Sequence, residues 1–180
     1  MKFIFSLIII SIFCGCENKS TYHLSEDEKL ANAITKKVAL QINHEFGLIP
    51  CGTGGQMMDQ IKMLHLAFDC RKPLDIDTSR QLLVAAVERF VSEVNANESI
   101  RPYLDNYPFE AKNIQIVIFI QRPDGSHFNP DGLVVTSAKD GVLEYKTDDP
   151  NGPLFKTVHS ETYEEALKQL KNHPKSDGLQ

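Results

Sequence analysis

The chain has no tryptophan, few cysteines and no excess of positive charge. Its four cysteines among 180 residues exclude a disulfide-dense scaffold, and its ten glycines and nine prolines exclude a collagen-like chain. The 19 basic side chains are outnumbered by 24 acidic ones, for a formal net charge of −5. Because neutralisation of phosphates supplies most of the affinity of nucleic-acid binders, we expect no nucleic acid among the partners.

The composition is otherwise that of a globular protein. Hydrophobic residues make up 42% of the chain and charged residues 24%, which excludes a wholly disordered protein. A length of 180 residues favours one globular domain, and we place it at residues 25–171. No internal repeat or low-complexity stretch interrupts this region.

The longest apolar run lies at the N-terminus. Lys2 provides a positive charge, and residues 3–13 (FIFSLIIISIF) then form a stretch of 11 residues without any charge. A helix of this length spans about 17 Å, whereas the hydrocarbon core of a bilayer is about 30 Å thick. The run therefore predicts a secretory signal rather than a transmembrane helix.

A short cysteine-containing motif follows this run. Residues 13–16 (FCGC) resemble the lipobox of bacterial lipoprotein precursors, in which small residues precede an obligatory cysteine. The resemblance covers only the start of the chain and implies that residues 1–15 are a signal peptide cut after Gly15. It also implies that Cys16 becomes the mature N-terminus and carries diacylglyceryl and acyl chains such as palmitate, since a thiolate is the nucleophile suited to attack a lipid donor.

Lipidation at Cys16 would make the membrane a partner of this protein. Two or more acyl chains anchor a protein stably at a bilayer, and residues 16–24 then form a polar tether. In the family that this motif resembles, an Asp at the second mature position is the signal for retention in the inner membrane. This chain has Glu17 at that position instead. We therefore expect an exported, anchored protein, at the outer membrane if the cell has two membranes. The acidic domain itself would be repelled by anionic lipid.

Three stretches carry apolar residues at helical spacing. They predict helices over residues 26–46, about 78–96, and from Ser160 onward, with a frayed tail at 172–180. Ser25 and Glu28 form a capping box at the start of the first helix, and Gly47 is expected to end it. Asp77 is expected to cap the second helix.

Four further stretches have the pattern of strands. They cover residues 61–70, 114–120, 133–139 and 142–147. The almost wholly apolar segment 114–120 (IQIVIFI) is typical of a central buried strand, and Asp140-Gly141 predicts a tight hairpin. The order α-β-α-β-β-β-α indicates an α+β fold: one small antiparallel or mixed sheet of about four strands packed against three helices.

Residues 51–55 (CGTGG) are rich in glycine, as phosphate-binding loops are. Such a loop follows a strand and precedes a helix, so that backbone amides and the helix dipole converge on the anion. Here the predicted order is reversed, and no Gly-Lys-Ser/Thr follows. The segment therefore predicts a flexible connection between the first helix and the first strand.

Cys51 and Cys70 would be the only cysteines left after processing. A disulfide between them is possible in an exported protein, but the first predicted strand would force the connecting loop to fold back almost taut. Alternatively, a free Cys51 is a candidate nucleophile with His65 or His159 as its base, which would make the protein a lipid-anchored thiol enzyme or hydrolase.

The remaining polar segments predict turns and surface loops. They are residues 101–109, 122–132 and 148–152. The aromatic segment 101–109 is compatible with a position over the edge of the core or with a partner surface. The six histidines lack the spacing of metal ligands, so we expect no metal, cofactor or identifiable small-molecule ligand. The favoured function is a non-catalytic binding or structural domain, with another envelope protein as a possible partner.

Overall fold

A computed structural model describes residues 23–152 and 155–172. The predicted signal peptide, the lipobox with Gly15 and Cys16, and the tail beyond Asn172 lie outside the described residues. The elements in chain order are α1 (Glu26–Phe46), β1 (Ile49–Gln56), β2 (Met63–Cys70), α2 (Ile76–Ala96), β3 (Ile114–Ile120), β4 (Leu133–Lys139), β5 (Val142–Asp148), β6 (Phe155–Thr162) and α3 (Tyr163–Asn172). Two short 3₁₀ helices, Glu98–Tyr103 and Ala111–Asn113, lie between α2 and β3.

The strands form one mixed sheet whose spatial order is the order in the chain. Neighbouring strands are antiparallel except for β2 and β3, which are parallel and are connected through α2. The predicted α+β class is confirmed. The expected four strands and the order α-β-α-β-β-β-α are corrected to six strands in the order α-β-β-α-β-β-β-β-α.

Helix α1 begins and ends where its sequence predicts. The backbone N–H of Ser25 donates to a carboxylate oxygen of Glu28 at 2.8 Å, which completes the capping box. Gly47 follows the last turn with a φ of 69°, and its N–H donates to the carbonyl of Asn43 at 2.9 Å. Glycine suits this left-handed position because it has no Cβ to clash with the following carbonyl.

Helix α2 begins two residues earlier than predicted. Its cap is Asp75, whose carboxylate accepts a hydrogen bond from the N–H of Thr78 at 2.7 Å. Asp77, the predicted cap, lies within the first turn and contacts Arg80. Both aspartates have the chemistry of a helix cap, and the apolar Ile76 between them joins the helix.

The core fills the space between the sheet and the helices. Alternate residues of β2 and β3 point into it, and Phe68 and Ile118 have no exposed surface. Helix α2 contributes Leu83, Val87 and Phe90, which recur at helical spacing. The buried cluster also includes Ala166 of α3, so all three helices lie against this face.

Both edge strands were missed by the sequence prediction. The glycine-rich segment, predicted as a flexible connection, is part of β1, which pairs with β2 from Ile49 to Gln56. Ser160, predicted to open the last helix, lies in β6. The helix is capped instead by Thr162, whose N–H donates to Glu165 at 2.8 Å and whose hydroxyl accepts from the Glu165 N–H at 3.2 Å. Thr162 and Glu165 thus form the Ser/Thr-x-x-Glu cap of this helix, two residues after Ser160, where the helix was predicted to begin.

Helices α1 and α2 run antiparallel along their contact. Lys37 pairs with Glu93 at 2.7 Å, and eight residues further along α1, Glu45 pairs with Arg89 at 2.6 Å. The start of α1 therefore projects past the end of α2, beside the first 3₁₀ helix. In the described part of the chain, no helix has both the length and the apolar character needed to cross a membrane.

Candidate functional site

Cys51 lies on the edge strand β1, at an irregularity of the β1–β2 pairing between Pro50 and Gly52. Its side chain is exposed. Partial burial raises the pKa of the Cys51 thiol, and the negative charge of Asp69, together with its hydrogen bond to the thiol, raises this pKa further. An activated cysteine needs the opposite, a pKa lowered by a positive neighbour or a helix N-terminus.

Cys70 lies in the core and forms no disulfide with Cys51. Its thiol donates to the carbonyl of Lys72 at 3.4 Å, and its pKa is raised by burial. Consecutive residues of a strand point to opposite faces, so Cys70 faces away from Asp69 and from the Cys51 thiol beside it. Both cysteines are free thiols in the structure.

His65 is on the same sheet face as Asp69 but too far along the strand to act on Cys51. It lies opposite Gly54, three residues from Cys51, which corresponds to about 10 Å along a strand. Burial lowers the pKa of His65, and its Nδ1 is buried without a hydrogen-bond partner. The two side chains do not form a nucleophile–base pair.

His159 lies at the opposite edge of the sheet. It is in β6, five strand positions from β1, and at about 4.8 Å per strand the separation from Cys51 is roughly 24 Å. The three side chains Cys51, His65 and His159 therefore do not converge on one site. The glycine-rich segment also has no helix directly after it, since β1 leads through a turn into β2.

A cluster of polar side chains around the buried carboxylate of Glu161 was not predicted from the sequence. We call it the Glu161 cluster, and it comprises Arg80, Tyr145, His159, Glu161 and Gln169. The carboxylate of Glu161 accepts hydrogen bonds from Arg80 Nε at 2.7 Å, from the Tyr145 hydroxyl at 2.5 Å and from Gln169 Nε2 at 2.8 Å. These donors come from α2, β5 and α3, so one acidic side chain of β6 connects four elements.

The two charges of the cluster are almost completely shielded from solvent. The side chains of Arg80 and Glu161 are only 6% and 3% exposed. Burial disfavours the charged form of Arg80, but its hydrogen bonds with Glu161 and Asp77 outweigh this effect and raise its pKa. A buried carboxylate with three donors is satisfied, whereas either charge alone would be strongly unfavourable.

Tyr145 and His159 complete the cluster. Burial, followed by the hydrogen bond and charge of Glu161, raises the pKa of Tyr145, so the phenol stays protonated and donates to the carboxylate. The ring of His159 lies 5.4 Å from that of Tyr145, and its Nε2 is 3.9 Å from Glu161. Because Arg80, Tyr145 and Gln169 all donate to the Glu161 carboxylate, the geometry is that of a structural connection between β6 and the rest of the fold.

The predicted loops lie at the two ends of the sheet. In the loop 122–132 the guanidinium of Arg122 lies 5.2 Å from the centre of the Phe128 ring, and His127 Nδ1 contacts the carboxylate of Asp148 at the end of β5. Segment 101–109 is divided: Leu104 and Phe109 are buried, whereas Tyr103 and Tyr107 are exposed.

Neither metal coordination nor similarity to a known protein assigns a function. Within residues 23–152 and 155–172, no group of three or more His, Cys, Asp and Glu side chains is placed to hold a metal ion. Comparison of the chain with protein-family models, with curated proteins and with solved structures found no match.

Proposed function

We propose that this chain is a lipid-anchored protein of a bacterial cell envelope, attached through Cys16, and that its α+β domain binds another envelope component without catalysing a reaction. The observation that carries the anchoring is the sequence of residues 1–16, with its positive start, short apolar run and FCGC motif. In a cell with two membranes, Glu17 favours the outer one.

The environment of Cys51 supports a binding role over a thiol enzyme. The raised pKa leaves little thiolate at neutral pH, and both the carboxylate of Asp69 and the distance from His65 oppose proton removal. The buried Arg80 and Glu161 pair with each other and thereby join β6 to α2, and Tyr145 adds a connection to β5. Arg80 and Glu161 thus have a structural explanation.

The anchoring is tested by metabolic labelling with palmitate in cells that produce the full chain. We expect the wild-type protein to be labelled and the variant Cys16→Ser to lose the label. Cys14→Ser is the matched control, because Cys14 would be removed with the signal peptide and the mature protein would still carry lipid. A label that persists in Cys16→Ser would contradict the proposal.

The binding role is tested by chemical crosslinking in intact envelopes, followed by purification of the anchored chain. A partner that crosslinks in a fixed stoichiometry and competes with added soluble domain supports binding. A chain that stays uncrosslinked while a known envelope complex in the same sample is captured would count against it.

A further inference from the structure

Exposed apolar side chains are concentrated at one end of the molecule. Nine large hydrophobic residues in the described ranges are exposed, and five of them belong to this end: Leu24, Met58, Tyr103, Tyr107 and Val142. Met58 is 100% exposed and Tyr107 52%. We call these five residues and the turns that carry them the tether end.

The contacts between the turns place these residues together. The N–H of Ile61, in the β1–β2 turn with Met58, donates to the carbonyl of Tyr103 at 2.8 Å. The β4–β5 turn before Val142 lies beside the same region, since a Cβ on Gly141 would be 3.9 Å from Lys112. The start of α1, directly after Leu24, projects past the end of α2 to this connection.

We propose that the tether end rests on the lipid bilayer, with Met58, Tyr103 and Tyr107 in the interfacial layer. The proposal depends on the lipid anchor of the proposed function. From Cys16 to Ser25 the chain can extend at most about 32 Å, so an anchored domain stays near the surface. The tether enters the domain at this end, which is therefore the part held closest to the lipid.

The chemistry of the tether end suits the boundary between lipid and water. Tyrosine has an apolar ring and a polar hydroxyl, and it is enriched where one side of a protein meets lipid and the other meets water. The guanidinium of Arg101 lies 4.9 Å from the centre of the Tyr107 ring, so a positive group accompanies the aromatic one. The same guanidinium donates to the carbonyl of Asn95 at 3.4 Å and lies 3.8 Å from Glu98, which holds it beside the ring.

A weak contact is sufficient because the anchor makes it intramolecular. A short flexible tether gives an effective concentration in the millimolar range, so a few interfacial side chains can orient a domain that would not bind lipid when free. The first turn of α1 carries Glu26, Asp27 and Glu28 at the same end. These charges favour an uncharged lipid surface, since anionic headgroups would repel them.

The absence of tryptophan makes the contact directly measurable. In a chain that begins at Cys16 and carries Cys51→Ser, the Cys16 thiol can be coupled to a maleimide lipid in phosphatidylcholine vesicles. Tyr107→Trp then provides a single fluorophore at the tether end. Phe155→Trp is the matched control, because Phe155 is also exposed, at 42%, and pairs with Asp148 at the opposite end of β5.

Quenching by lipids with brominated acyl chains reports contact with the bilayer. We expect Tyr107→Trp to lose fluorescence and shift to shorter wavelength in brominated vesicles, and Phe155→Trp to do neither. Met58→Trp, at a fully exposed position where folding is not at risk, should behave like Tyr107→Trp. Absence of quenching at both positions 58 and 107, or equal quenching at position 155, would overturn the proposal.

The chemical coupling separates this test from the test of the anchor. The maleimide lipid replaces biological acylation, so a failure of palmitate labelling would refute the lipoprotein assignment without affecting the fluorescence result. Conversely, palmitate-labelled protein in which neither Met58→Trp nor Tyr107→Trp is quenched would leave the anchor in place and refute only the orientation.

Discussion

The two edge strands of the sheet are held in different ways. All side chains of β1 are exposed or only partly buried, and three of its eight residues are glycine, so its position depends on backbone pairing with β2. β6 is also largely exposed, but its Glu161 carboxylate is buried and accepts hydrogen bonds from three other elements. Both edges are thus paired with a neighbour through the backbone, and β6 is held in addition by one buried polar side chain.

The difference shows where each edge is sensitive to substitution. At β1, added volume is disruptive because the strand lies close to its neighbour. At β6, lost polarity is disruptive because the buried Arg80 guanidinium would keep only the exposed Asp77 as an ionic partner. The following four predictions test this contrast.

The largest effect is expected from Glu161→Ala. The substitution removes the buried partner of Arg80 and leaves only the exposed Asp77 beside its guanidinium. Breaking a buried ion pair in this way costs about 3–5 kcal/mol of unfolding free energy. Urea denaturation followed by circular dichroism measures it. The control is Glu164→Ala on the exposed side of α3, which should change stability by no more than about 0.5 kcal/mol. Similar losses in both variants would show that Glu161 does not hold β6.

A smaller loss is expected from Tyr145→Phe. The ring stays in the core, but the carboxylate of Glu161 loses the hydroxyl donor at 2.5 Å. Hydrogen bonds to charged groups contribute about 1.5–3 kcal/mol, and we expect a loss of that size in urea denaturation. Tyr103→Phe removes the same hydroxyl from an exposed tyrosine and should leave the transition midpoint unchanged. If the two variants are equally stable, the hydroxyl of Tyr145 does not stabilise the cluster.

At the other edge, we expect Gly55→Ala to disturb β1 while Gly54→Ala is tolerated. A Cβ at position 55 would be 2.8 Å from the carbonyl oxygen of Met63, whereas one at position 54 would meet His65 at an ordinary 3.7 Å. Overpacking destabilises a folded protein by about 1–3 kcal/mol, and here we expect the destabilisation to be confined to β1. Amide hydrogen exchange should become faster in residues 49–56 of Gly55→Ala. Equal exchange in the two variants would contradict the close-approach argument.

The smallest expected effect is on the rate at which the Cys51 thiol is chemically modified. Because its pKa is raised, the thiolate is scarce at pH 7, and modification by iodoacetamide should be slow and accelerate as the pH rises. Asp69→Asn removes a negative charge that opposes ionisation and should accelerate labelling at pH 8, whereas Asp59→Asn in the exposed β1–β2 turn should not. Rapid modification of the wild-type thiol at pH 7 would instead support the thiol enzyme.

The four inner strands could be predicted from the sequence, and the two edges could not. Strands β2 to β5 carry apolar or β-branched residues in runs or alternation, because at least one of their faces is buried. β1 has glycine in place of such residues, and β6 carries Lys, His, Ser and Glu, so neither shows a buried face. Pairing with a neighbour, which a local pattern does not record, makes them strands.

The polar cluster was missed for a related reason. Arg80 lies three residues before Leu83 and seven before Val87, on the apolar side of α2, and a charge at such a position is a signal for a buried partner. The partner is 81 positions away in the chain, and its segment was assigned to a helix. For Cys51 and the histidines, residue types could be recognised, but their separation depends on strand order, which the sequence pattern leaves open.

Because strand order equals chain order, most of the sheet can assemble between neighbours in sequence. β1 with β2, and β3 through β6, are each joined by turns or short loops, so closing those loops costs little chain entropy. The parallel pairing of β2 with β3 is the exception, since residues 71–113, including α2, must be ordered between them. We therefore expect the folding rate to be limited by the step that brings these two parts together, and α2 to be the element whose early formation speeds it.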